Sequence, residues 1–163
     1  MAVLPMVTYP DPVLRRKAVR VTSIDGSIGR LIDDMVETMH ETGGVGLAAP
    51  QVGIPLRVAV IELPGEETIV LVNPKIVKRS GERQVEEGCL SLPGYRGEIQ
   101  RSVKVTAKGL DRYGREIRIK GEGLLAQALE HEIDHLNGTI YIDHLEGIDK
   151  LFPVAPDVET PEI

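Results

Sequence analysis

The chain has no tryptophan, one phenylalanine and four tyrosines in 163 residues, so any core it builds is aliphatic. A single cysteine, Cys89, excludes an internal disulfide and leaves a thiol that is packed, bound to a metal or used as a nucleophile. No apolar run approaches membrane-spanning length, and the opening MAVLPMVTYPDP is broken by Pro5, Pro10 and Pro12 before an apolar signal core can form. The expectation is a bacterial cytoplasmic protein that does not enter a membrane; a mature organellar chain would read the same way. Basic runs are equally scarce. Beyond Leu14-Arg15-Arg16-Lys17 no stretch gathers cations, and 25 acidic against 19 basic residues leave a net charge of −6. A general phosphate-binding surface, and with it direct nucleic acid binding, is therefore not expected.

This length can bury one good core and does not promise two, so a single domain over residues 1–163 is expected. From Ser27 onward, Ile28, Leu31, Ile32, Met35, Val36 and Met39 follow the three-and-four spacing of an amphipathic helix that Gly43-Gly44 stops. The next segment, GVGLAAPQVGIP, holds three glycines and two prolines in twelve residues and reads as a shaped loop. LRVAVIEL and TIVLVNPKIV are β-branched runs around a PGEE turn, while RSVKVTAKGL alternates before DRYG turns into REIRIKG. From Leu124 to Asn137 apolar residues surround most of a helix that Gly138 ends, which marks that helix as buried. The proline-broken, acidic stretch 147–163 reads as a surface tail. Together these give an α+β fold, antiparallel strands and hairpins packed around a central buried helix, with an amphipathic helix near the N-terminus.

The buried helix carries HEIDH. His131 and His135 lie four residues apart and share a face, and Glu132 is turned about 100° from them, within reach of a metal-bound water. Burying three polar side chains on an apolar helix without partners is costly, so a metal site explains them better than capping does. The third ligand stays open at this stage. The extension HExxHxxGxxH fails because Gly138 matches but Tyr141 occupies the last position, and Glu146, Glu159 and Glu162 lie in a region of weak helical character. Cys89, in EEGCLSLPG, is the remaining soft donor; packing in the core and a Cys–His nucleophile pair are its other readings.

Three segments in order, GVGLAAPQ (Gly44 to Gln51), EGCLS (Glu87 to Ser91) and HEIDH (His131 to His135), resemble the three signature motifs of the peptide deformylase family. The resemblance runs from about residue 5 to about residue 145, and SLPG after the cysteine is similar to the shorter bacterial and organellar branch. It implies removal of the formyl group from formyl-methionine at the N-terminus of new polypeptides. Cys89, His131 and His135 would hold one divalent metal ion, iron(II) in the cell, with zinc, nickel or cobalt able to replace it. Glu132 would be the general acid/base for attack by activated water, and Gln51 with the Leu90 N–H would bind the developing oxyanion. Gly44, Val45 and Gly46 would line an added peptide strand, Val45, Leu124 and Ala128 a methionine pocket, and Arg96 the substrate backbone. Core packing is the other role open to Val45, Leu124 and Ala128, and solvation the other for Arg96. Asp134 either orients a ligand or bonds to solvent, and His40 and His144, outside every motif, read as surface residues. Glu130 departs from the glutamine the family often has before its first histidine. The implied partners are N-formylmethionyl nascent peptides, near the ribosome exit, met by a monomer whose acidic tail lacks a basic docking helix. A zinc endopeptidase with another third ligand, or a non-catalytic binding module, are the competing readings.

Overall fold

The computed structural model describes residues 2–154 and 163. Asp25 starts helix α1 (Gly26–Thr42) by accepting hydrogen bonds from the N–H groups of Ser27 and Ile28 at 2.9 and 3.3 Å. The predicted face of Ile28, Leu31, Ile32, Met35 and Met39 is buried, and Gly43 caps the helix. Eight strands follow in chain order: β1 (Gly46–Ala48), β2 (Val58–Ile61), β3 (Ile69–Ser80), β4 (Arg83–Cys89), β5 (Leu92–Arg101), β6 (Lys104–Leu110), β7 (Glu116–Glu122) and β8 (Leu151–Pro153). Strands β1-β2-β3-β6-β7 form one antiparallel sheet in that order, and β4-β5-β8 form a second, so the architecture is α+β.

Helix α2 (Leu124–Leu136) carries HEIDH and packs against β1, β2, β3, β6 and β7. Its Ala126, Ala128, Leu129 and Ile133 share an aliphatic cluster with Val45, Ile61, Leu71, Val105 and Ala107. A separate cluster joins the α1 face to Leu47, Val58, Val60 and Val72. The first sheet is thus covered by two helices with no aromatic residue in either buried cluster. Asn73 sits at a bulge in β3 with φ 52°. Its side chain both donates to and accepts from the Val21 backbone at 2.8 Å, fastening the N-terminal segment to the sheet.

Three expectations are corrected. GVGLAAPQVGIP contains regular structure, since β1 and a short 3-10 helix (Ala49–Val52) fall within it. Strands β4 and β5 occupy a region whose glycines and charges hide period-two alternation. The surface-tail reading holds only in part: Leu151–Pro153 pairs with β5 and Ile163 is buried in the α2 aliphatic cluster, while Ile148 is exposed and residues 155–162 lie outside the described residues.

Gly138 ends α2 as the sequence predicts, with φ +78°, and an added Cβ there would lie 2.6 Å from the Arg15 carbonyl oxygen. Only glycine accepts both conditions. Gly138→Ala is expected to lose at least about 1–3 kcal/mol, read as a lower urea midpoint at unchanged m-value.

Candidate metal centre and peptide edge

Cys89 closes β4, and His131 and His135 stand one turn apart on α2. The docking of helix on strand brings their donor atoms within 4.8 Å of one another. The Cys89 Sγ lies 3.3 Å from His135 Nε2, which lies 3.1 Å from His131 Nε2, and all three residues are buried. His131 Nδ1 bonds to Glu87 Oε1. Because an ionised carboxylate only accepts, Nδ1 carries the proton and Nε2 presents its lone pair to the cluster. Converging lone pairs on nitrogen and sulfur repel unless a positive charge lies among them, and a borderline-soft divalent ion matches this donor set.

Glu87 is the residue whose importance the sequence reading missed. Arg101 donates to its two oxygens from Nε at 3.0 Å and Nη2 at 2.6 Å, and Gln127 Nε2 donates to Oε2 at 3.1 Å. Burial alone would raise the Glu87 carboxyl, but His131 and Arg101 outweigh it and hold the group far below the usual carboxylate range. Arg101 Nη1 also donates to Asp134 Oδ2 at 2.8 Å, an oxygen that His144 Nε2 meets at 2.9 Å. Asp134 thus bonds to protein groups, and His144 and His40 are both exposed, as expected, the latter paired with Glu62 at 2.7 Å. The available signal for Glu87 was its place two residues before Cys89, and for Gln127 its place four before His131.

Glu132 differs sharply from Glu87. It is fully buried, neither oxygen has a hydrogen-bond partner among the described residues, and burial pushes its carboxyl up to about 7. Gly46 faces it so closely that a Cβ there would lie 2.3 Å from Oε2. Gln51, also fully buried, accepts from the Ala48 N–H at 3.0 Å and directs Nε2 toward Ser91 Oγ at 3.2 Å and Cys89 Sγ at 3.5 Å. Leu90 lies in the turn joining β4 to β5, between the paired residues Cys89 and Leu92.

Strand β1 is an edge. The Val45 carbonyl accepts from the Glu62 N–H across to β2 at 2.9 Å, so by antiparallel alternation the Gly46 backbone groups and the Gly44 carbonyl turn to the side away from β2, while the Gly44 N–H donates to the Met39 carbonyl at 3.2 Å. The remaining candidates divide. Val45 and Ala128 pack in the aliphatic cluster, and Leu124, at the first turn of α2, is partly buried. Arg96 is buried and its Nε donates to Glu86 at 2.7 Å, which overturns the solvated reading. Glu130 accepts from the Ser102 N–H at 2.7 Å and from Arg79 at 3.0 Å, so the departure at this position is tied into the fold.

Removing one member of the buried Glu87–Arg101 pair strands the other. Arg101→Met is expected to cost about 3–5 kcal/mol, measured by chemical denaturation.

The profile of the polypeptide deformylase family matches residues 3–151. The chain is 59% identical over 163 residues to the peptide deformylase of Dehalococcoides mccartyi (strain CBDB1), covering 99% of this chain and 98% of that one. Its fold superimposes on the crystal structure of a peptide deformylase from Legionella pneumophila with a TM-score of 0.88 at 48% identity, over 91% of this chain and 89% of the other. The peptide deformylase from Synechococcus elongatus, solved in complex with actinonin, gives 0.87 at 41% identity, over 90% and 81%. A profile match over most of the length, joined to near-complete alignment with these relatives, shows that the chain belongs to the polypeptide deformylase family.

Proposed function

We propose that this protein removes the N-formyl group from formyl-methionine at the start of newly made polypeptides and releases formate. The observation that carries this reading is the convergence of Cys89, His131 and His135 beside a buried carboxylate, Glu132, whose oxygens have no hydrogen-bond partner among the described residues, along a strand that is an edge among those residues. Cys89, His131 and His135 are the residues that would hold one divalent metal ion, iron(II) in the cell by family resemblance, with zinc, nickel and cobalt also suited to these donors. When bound, the ion supplies Lewis acidity, which brings the ionisation of water near neutrality.

The chain's own groups supply the rest. The Gly44 carbonyl and the backbone N–H and C=O groups of Gly46 are offered to an extended peptide, which adds to β1 as a further strand and brings its formyl end to the cluster. Glu132 accepts the proton of the attacking water and passes it to the departing amine, a task suited by a carboxyl pushed up to about 7. Gln51 Nε2 and the Leu90 N–H stabilise charge on the formyl oxygen. Val45, Leu124 and Ala128 border the methionine side chain, and Arg96 supports the strand beside the peptide. Glu87 fixes the tautomer of His131 through Nδ1.

The test is formate release from formyl-Met-Ala by iron(II)- or nickel-loaded protein under anaerobic conditions. Glu132→Gln is expected to lower turnover by about 10²–10⁴-fold while metal content stays unchanged. No release by wild-type protein carrying one metal ion per chain would refute the assignment. Gly46→Ala forces the Glu132 carboxylate aside, so its kcat is expected to fall with the metal still bound. Cys89→Ser is expected to release metal to a chelator far more readily than wild type, and full retention would move the third ligand elsewhere.

A further inference from the structure

Over residues 75–80, 104–108 and 118–122, strands β3, β6 and β7 turn one face toward α2 and the other outward; farther along that outer face Val72 and Leu110 pack against α1. Val105 and Ala107 are buried on the inner face, and Ile76 and Ile119 pack beside them. The alternate residues therefore point away from the helix and the metal centre. Cross-strand register arranges these outer residues in rows. Lys75 is opposite Lys108, which is opposite Arg118; Lys78 is opposite Thr106, which is opposite Lys120; Ser80 is opposite Lys104, which is opposite Glu122. Six cations thus share one face of a chain whose net charge is −6. Among the described residues, only Lys104 has a carboxylate partner there, Glu122 at a loose 3.9 Å.

The first row sets three cations side by side. Like charges directly opposite on neighbouring strands destabilise a sheet, so the arrangement carries a cost that an anionic partner would relieve. A cleft of about 620 Å³ runs along the face, lined by Lys78, Lys104, Arg118 and Lys120 among others. No aromatic side chain belongs to the rows, which removes base stacking, and Val77, exposed at the bulge between Ile76 and Lys78, is a single apolar side chain among cations, too little for insertion into a bilayer. Rows repeat about every 6.8 Å along the strands and columns about every 4.8 Å across them, a lattice of charge suited to several phosphates at once. A three-stranded face does not enter the major groove of DNA, which admits a helix or a two-stranded ribbon. It can lie against the wide, shallow minor groove of A-form RNA, which proteins recognise by shape and phosphate position.

We propose that the outer face of β3, β6 and β7 is a sequence-independent docking surface for double-helical RNA. The expectation from chain order was the opposite, because the cations are dispersed over residues 75–120 and form no run. The acidic surface elsewhere would repel a polyanion, so the face docks in one orientation.

Fluorescence anisotropy with a labelled RNA hairpin of about 20 base pairs, titrated between about 50 and 200 mM salt, tests the proposal. Metal-loaded wild-type protein is expected to bind with log K falling against log salt at a slope of about −4. The combined variant Lys75→Gln, Lys108→Gln, Arg118→Gln is expected to weaken binding about tenfold or more at the low-salt end and to flatten the slope by about 2–3. The same variant should melt no lower than wild type, since it removes two like-charge pairs, and should release formate at the wild-type rate. Absence of RNA binding at about 50 mM salt, or equal binding by variant and wild type, overturns the proposal. Equal or tighter binding to a DNA duplex, polyglutamate or phosphatidylglycerol vesicles also overturns it, by showing a general or different anion preference. Formate release is measured separately, so these outcomes are independent of the catalytic assignment.

Discussion

The carboxylate of Glu87 is the point on which the centre depends. A charge taken out of water costs several kcal/mol unless donors replace the lost hydration, as a general estimate of about that order. Here the donors come from separate elements: Arg101 at the end of β5, and Gln127 and His131 one turn apart on α2. No single element can satisfy Glu87, so its burial is favourable only when α2 is docked on the β4–β5 sheet. That docking also sets Cys89 beside His135. Assembly of the donor cluster and completion of the fold are therefore coupled through one buried ion.

Glu87 on β4 and Glu132 on α2 show how environment separates two carboxylates. Glu87 is surrounded by donors and stays ionised, whereas Glu132 has no hydrogen-bond partner among the described residues and its carboxyl is pushed up to about 7 by burial. A structural anchor needs the first condition, and the proton transfer proposed for Glu132 needs the second. Gly46 makes the contrast possible, because any larger side chain on β1 would occupy the volume beside Glu132.

Much of this was legible in the sequence where periodicity and chemistry agreed. The α1 face, the α2 stop at Gly138, the hairpins of the larger sheet and the pair His131 and His135 all carry local signals, whereas Cys89 was drawn into the cluster only by the family resemblance. Strands β4 and β5 carried no such signal, since RQVEEGC and LPGYRGEIQR hold charged residues and glycines where alternation would be sought. The partnership of Glu87 with Arg101 was hidden for the same reason: they lie fourteen residues apart on paired strands whose existence was not evident. The solvated reading of Arg96 failed because a long polar side chain gives no sequence signal of the partner that draws it in.

Charge shows the same limit in another form. In KVTAK and RIK every second residue points to α2 and every other one to solvent, so the alternation that marks a strand also separates its cations in the sequence. Pairing three such strands reunites them in space. Arg79 is the exception that links the two faces: it lies between Lys78 and Ser80 but bonds to Glu130, the residue before His131. Apart from that contact, the outer cations have no hydrogen bond or ion pair to the metal centre among the described residues. The chemistry is bound to the inner face by the Glu87 network, and the outer face is free to take charge without disturbing it.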